Sequence, residues 1–354
     1  MTTRRKLLAA TVALMGTTAL PVLASADVVK IGVLAPLSGA AAADGQEYVN
    51  GVQLAVDELN AQGGVAGYTF EVVVGDVGDA SADAVATATR RLLSDRDMGA
   101  VMSGYASNSN FEIEMMAEQE MVYLLSANSA QTEAIIAEDP EFFRTVWSFT
   151  PSYDAYETGV LPVIERLESE GNLTLPNRKI AIVSSDNPYS RTIAEGLTAS
   201  FEAGGWEITQ NQLLPFGEIN DWRGFLAQVR QDPPALLVNT DYLPGNAATF
   251  MSQFMENPTN SLVFIQYAPS VPEFLELTRE VSNGVVYNLL GGALTTPANP
   301  RAQEVVGKYV EAYGNEPGFY GIALYEQTML YADALEAVGD PADRLAIGEW
   351  IGAA

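Results

Sequence analysis

Cysteine and histidine are both absent from the 354 residues. Their absence excludes disulfides, thiol nucleophiles, imidazole general bases and the usual sulfur and nitrogen ligands of zinc. Positive charge is scarce too. Eighteen Lys and Arg stand against 45 Asp and Glu, a formal charge of −27, and a field of that sign repels nucleic-acid phosphates and anionic lipid surfaces. No nucleic-acid partner, no metal and no cofactor is expected. Long uninterrupted apolar runs are also missing. The one extended apolar stretch, Leu7 to Leu23, is broken by Gly16 and Pro21, and no other approaches the roughly 18 residues that a membrane span needs.

What is present begins with an address. "MTTRRKLLAATVALMGTTALPVLASAD" carries Arg4, Arg5 and Lys6, then the apolar stretch, then Ala24-Ser25-Ala26. This is the pattern of a secretory signal peptide over residues 1–26, with the mature chain starting at Asp27. The paired arginines fit a twin-arginine signal as well as the general export route. With no Cys at the cleavage site, no lipid anchor is expected.

Hydrophobic residues make up 48% and charged residues 18% of the chain, enough apolar surface to fold, and the length favours two domains over one. Apolar runs alternate with helix-patterned segments. "VVKIGVLA", "TFEVVVG", "GAVMSG" and "MVYLLS" come first; "KIAIVSS", "ALLVNT", "SLVFIQ" and "GVVYNL" follow. Continuous apolar strands separated by helices indicate parallel sheets covered on both faces, a doubly wound α/β fold. In the first helix, Tyr48, Val52, Ala55 and Leu59 recur at helical spacing, Asp44 and Glu47 form a capping-box pattern, and Gly51 is expected to allow close packing on the sheet. "KIAIVSSDNPYSRTIAEGLTASFEAGGWEI" repeats the plan. Two similar lobes follow, with crossings expected near Pro151 and from Asn288 onward.

Catalytic motifs are wanting. Gly39 and Gly45 do not make G-x-G-x-x-G, and no G-K-[ST] or G-x-S-x-G occurs. Asp76, Asp79 and Asp83 lack calcium-loop spacing. Carboxylate pairs such as Asp139 with Glu141, or Glu112 with Glu114, are expected by chance in so acidic a chain. The loops after the strands are richer. "GYASNSN" and "SANSAQT" crowd hydroxyls and amides at strand C-terminal ends, where open α/β sheets bind ligands; "SSDNPYS", "NTDYLPG" and "IQYAPS" each carry a Tyr. Such a set suits a small, polar, partly apolar molecule.

"IGVLAPLSGAAAADGQEYVNGVQLAVDELNAQGGVAG" resembles the N-terminal signature of type I periplasmic solute-binding proteins, the branched-chain amino-acid and amide-binding group serving ABC importers. The resemblance runs from about Val28 to Val338. It implies two Rossmann-like lobes, 27–148 with 290–354 and 149–289, joined by hinge crossovers and closing on a small-molecule ligand. It further implies a periplasmic, monomeric, non-enzymatic protein with an inner-membrane ABC permease as partner. The same fold also serves as an extracellular sensing module for a signalling partner, and that alternative stays open.

Carried over by position, the family's first ligand loop falls on Ser107, Asn108 and Ser109, and its second on Ser126, Asn128 and Ser129. From the other lobe come Tyr189, Asp241 and Tyr242, with Tyr267 beside them. Two departures stand out. Where amino-acid binders place a Glu for the ligand ammonium, this chain has "QYA" at Gln266 to Ala268; either Asp241 substitutes or the ligand carries no ammonium. Asp44 stands where an aromatic residue usually lids the cleft. Measured against the family, the sequence stops at "EWIGAA" before the segment that crosses back to the second lobe, through truncation or the loss of a crossover.

Overall fold

The computed structural model describes residues 27–107, 110–126, 128–288 and 299–354. The expected export signal, Asn108, Ser109 and the expected lobe boundary at 290 lie outside them. In chain order the first part runs β1 (Asp27–Ala35), α1 (Ala42–Ala61), β2 (Tyr68–Asp76), α2 (Ala82–Leu93), β3 (Met98–Ser103), α3 (Glu112–Ala117), β4 (Val122–Leu125), α4 (Ala130–Glu138) and β5 (Val146–Ser148). Its strands pair in parallel in the order β2-β1-β3-β4-β5.

The second part runs α5 (Asp154–Ser169), β6 (Lys179–Ser185), α6 (Pro188–Ala203), β7 (Glu207–Leu214), α7 (Arg223–Gln231), β8 (Leu236–Asn239), α8 (Pro244–Met255), β9 (Leu262–Ile265) and α9 (Pro272–Thr278). Its sheet is again parallel, in the order β7-β6-β8-β9. The chain then returns to the first sheet with α10 (Pro300–Tyr313), α11 (Phe319–Val338) and α12 (Arg344–Ala353), placing Leu324, Tyr331, Ile347 and Ile351 in the same core cluster as β1.

Side-chain alternation explains why the strands read as continuous apolar runs. Val29, Ile31 and Val33 of β1 face α1 and α11 in one cluster, whereas Leu34 joins α2 and α3 in another. Val122 and Leu124 of β4 follow the first face, Tyr123 and Leu125 the second. The second sheet does the same: Ala181, Leu237 and Ile265 pack with α7 and α8, Ile180, Leu236 and Phe264 with α5 and α6. The inner strands β3, β4, β6 and β8 are covered on both faces and show no polar alternation, whereas the edge strand β7 exposes Glu207, Asn211 and Leu213.

Three expectations are corrected. "GVVYNL" forms no strand among the described residues, only a single parallel bridge from Val286 to Phe264, while the three-residue β5 was not anticipated. Gly51 packs on a helix, not the sheet, because a Cβ there would collide with the Gly321 carbonyl of α11. Asp44 and Glu47 do not cap α1, whose N-cap residue, Ala41, makes no side-chain cap; both carboxylates are buried and reach elsewhere.

Candidate functional site

A cavity of about 240 Å³ opens between the C-terminal edges of the two sheets. It is lined from loops after β3 (Tyr105, Ser107, Asn110), β4 (Ser126, Ser129), β5 (Thr150, Tyr153), β8 (Tyr242) and β9 (Tyr267), and from the first turn of α6 after β6 (Pro188, Tyr189). Helices α5, α6 and α11 add Tyr156, Thr192 and the pair Phe319 and Tyr320. Among the described residues no Asp, Glu, Lys or Arg lines it.

One wall is made of hydroxyls, and their hydrogen-bond directions matter. Gln327 Nε2 donates to Ser126 Oγ at 2.9 Å, and among the described residues nothing takes the Ser126 proton, which can serve a guest. At the N-terminus of α4, Ser129 Oγ accepts from the Thr132 backbone N–H at 3.2 Å. Asn110 Nδ2 donates to Thr132 Oγ1 at 2.8 Å, and Thr132 Oγ1 lies 3.0 Å from Ser129 Oγ. Either hydroxyl of the Ser129–Thr132 pair can donate to the other; with the relay running Asn110 to Thr132 to Ser129, the Ser129 proton is available to a guest. The helix N-terminus adds positive potential there. Ser107 differs: its hydroxyl donates to the buried Glu112 Oε2 at 2.6 Å, and burial raises the Glu112 pKa.

The other wall is aromatic. Tyr105 and Tyr242 meet edge-on with centroids 6.0 Å apart, Tyr189 meets Tyr242 at 5.6 Å and Tyr153 at 4.8 Å. Behind them sits Asp44, 2% exposed. Its Oδ2 accepts from Tyr105 at 2.8 Å and its Oδ1 from Tyr267 at 2.9 Å. Burial pushes its pKa up to about 6, against the pull of the two phenol bonds. Tyr267 reaches it from a left-handed backbone, φ 57°, a conformation that costs a non-glycine residue about 1–3 kcal/mol. Glu47 caps α11 instead of its own helix, accepting from Gly318 N at 2.6 Å and Gly321 N at 3.2 Å. That contact fixes Phe319 and Tyr320 at the cavity. Burial carries the Glu47 pKa to about 7.

Of the residues singled out in the sequence, Ser107, Ser126, Ser129, Tyr189, Tyr242 and Tyr267 line this one cavity. Asn108 and Ser109 lie outside the described residues. Asn128 does not line it: its amide donates to Thr150 O and Glu133 Oε1, both at 3.2 Å. Asp241 does not line it either. Its carboxylate accepts from Leu243 N at 2.9 Å and Asn246 Nδ2 at 2.8 Å, so it is spent inside its own loop and is no substitute for an ammonium-binding acid. The sequence reading missed Tyr105, Thr150, Tyr153, Tyr156, Phe319 and Tyr320. Tyr105 lies within the quoted "GYASNSN" loop; the α5 and α11 aromatics give only a helical spacing that reads as core.

Among the described residues no helix is long and apolar enough to cross a membrane, and no group of three or more acids is placed to hold a metal ion. Residues 28–348 match the family model described as periplasmic binding protein. A Leu/Ile/Val-binding protein homolog 8 from Brucella abortus is 25% identical over 303 residues, 82% of this chain and 71% of the relative. The crystal structure of a candidate branched-chain amino acid ABC transporter from Silicibacter pomeroyi is similar with a TM-score of 0.79 and 30% identity, covering 92% of this chain and 83% of that one. A solute-binding protein of an ABC transporter from Rhodopseudomonas palustris, solved with 3,4-dihydroxybenzoic acid, shares the fold at a TM-score of 0.74 and 20% identity, over 91% of this chain and 84% of that one.

Proposed function

The chain belongs to the periplasmic binding protein family, and from that premise we propose that its solute is a small organic acid with a flat apolar or aromatic body and no ammonium group. The family's task is to hold a solute, not to transform it. The observation that carries the proposal is the make-up of the cavity: the hydroxyls of Ser126 and, at the N-terminus of α4, Ser129 on one side, tyrosine rings on the other, and no charged side chain among its described lining residues. A carboxylate suits the first wall, because charge-assisted hydrogen bonds are roughly twice as strong as neutral ones. An ammonium beside it would lose its water shell without a carboxylate in exchange.

A solute touching both walls draws the two lobes together, since it binds the closed arrangement better than the open one. On the same reading, residues 1–26 direct export to the periplasm by the general or twin-arginine route, and the closed monomer delivers its solute to an ABC permease in the inner membrane. The relatives' names support importer service, and the Brucella relative's name points to branched-chain amino acids, a solute class the uncharged cavity disfavours.

Calorimetric titration tests the solute class with three compounds sharing one body: an aryl acid, its amide and the corresponding α-amino acid. The acid is expected to bind about tenfold more tightly than the amide, the difference of one charge-assisted bond. Tighter binding of leucine or isoleucine than of every acid lacking an amino group would overturn the reading.

A further inference from the structure

We infer that the solute carries a hydrogen-bond donor, a hydroxyl in the simplest case, at the end remote from its carboxylate, and that Asp44 imposes this requirement through Tyr105 and Tyr267. The inference rests on the acid reading and concerns the opposite end of the same cavity. Each phenol has one proton to give. Both protons are given to Asp44, at 2.8 Å from Tyr105 and 2.9 Å from Tyr267, and both rings line the cavity. What these hydroxyls can still offer a guest is a lone pair.

The cavity is therefore polarised in hydrogen-bonding terms. Ser126 and Ser129 bring hydroxyls that can still donate, whereas the Asp44 phenols, their protons committed, bring acceptors alone. A guest ending in a fluorine, a methyl or a second carboxylate leaves those acceptors unpaired or repels them, and a site built to hydrogen-bond a hydroxyl discriminates strongly against analogues without one. The arrangement also joins the lobes: Tyr105 follows β3 of the first sheet, Tyr267 follows β9 of the second, and Asp44 holds both. A donor placed between the two phenols meets both sheets at once.

The test uses two isosteric pairs of different length, 4-hydroxybenzoate with 4-fluorobenzoate and 3-(4-hydroxyphenyl)propionate with 3-(4-fluorophenyl)propionate, titrated calorimetrically into the full mature chain. In the better-fitting pair the hydroxyl compound is expected to bind about tenfold more tightly or better. In Asp44→Asn the amide donates to one phenol and turns that phenol's proton toward the guest, so the ratio should fall to about threefold or less. Tyr267→Phe and Tyr105→Phe, which each remove one acceptor, should lower it as well and stand in if the Asn variant does not fold. Equal affinities within both pairs, or a ratio that survives all three substitutions, overturns the inference while leaving the acid reading intact. Amides binding as tightly as their acids overturn the acid reading, and the hydroxyl-to-fluorine ratio measured on those amides still decides the inference. No binding by any of the four acids overturns both.

Discussion

Asp44 and Asp241 are the same residue in mirrored settings, one in each half of the molecule, both almost wholly buried and both pushed up to about 6 by loss of water. Their partners separate them. Asp241 accepts from Leu243 N two residues on and from Asn246 Nδ2 at the start of α8, while Asn246 in turn ties down Ile219 N and Gly217 O. Every bond stays inside the second half. Asp44 instead accepts from Tyr105 of its own half and from Tyr267, 223 residues away in the other. Burial and a raised pKa alone do not distinguish a scaffold acid from one facing a binding cavity. The chemistry of the groups that the carboxylate orders does.

The sharpest way to break that comparison is to remove Asp241. Asp241→Ala strands a buried backbone N–H and a buried amide, so it is expected to cost about 3 kcal/mol of stability, read as a lower midpoint of urea unfolding. Folded protein should keep its solute affinity within about threefold. A tenfold loss of affinity at unchanged stability would reinstate Asp241 as a contact.

Titration offers a smaller, graded version. Asp44 and Asp241 rise from an ordinary 3.8 to about 6, and Glu47 from 4.5 to about 7. A folded pKa above the unfolded one means that the folded state binds more protons between the two values. The stabilisation is thus complete below about pH 4 and lost as pH rises through 6 to 7. Stability should be greater at pH 5 than at pH 8, each aspartate contributing on the order of 1–2 kcal/mol and Glu47 about 2–3 kcal/mol. Asp44→Asn and Asp241→Asn should each flatten the slope by a similar share, and only the former should change which solutes bind. A midpoint that climbs steadily from pH 5 to pH 8 would contradict all three assignments.

The same contrast marks how far the sequence could be read. Strands buried on both faces were plain from their apolar runs, and the Ser and Asn loops at the strand ends predicted a cleft edge, because these signals are local. β5 was not plain: Val146–Ser148 is three residues long and has only Val146 buried. Asp44 and Glu47 were misread because the capping-box spacing is a local pattern, whereas their true partners, Tyr105, Tyr267, Gly318 and Gly321, lie 61 to 274 residues away. Tyr156 and Tyr320 escaped notice because an aromatic residue at helical spacing looks the same whether it faces a packed core or a hollow.

Two neighbours on one loop give the finest resolution. Ser129 caps α4 and lines the cavity, so Ser129→Ala should cost about 1 kcal/mol of stability and weaken a carboxylate ligand by about tenfold. Asn128 is adjacent in sequence, yet its amide points to Glu133 and the Thr150 carbonyl, away from the cavity. Both of its bonds are 3.2 Å long, and the one to Glu133 is exposed, so Asn128→Ala should cost about 0.5 kcal/mol and change solute affinity by less than about threefold. A loss of affinity in Asn128→Ala equal to that in Ser129→Ala would mean that the whole loop, not the one hydroxyl at the helix N-terminus, grips the solute.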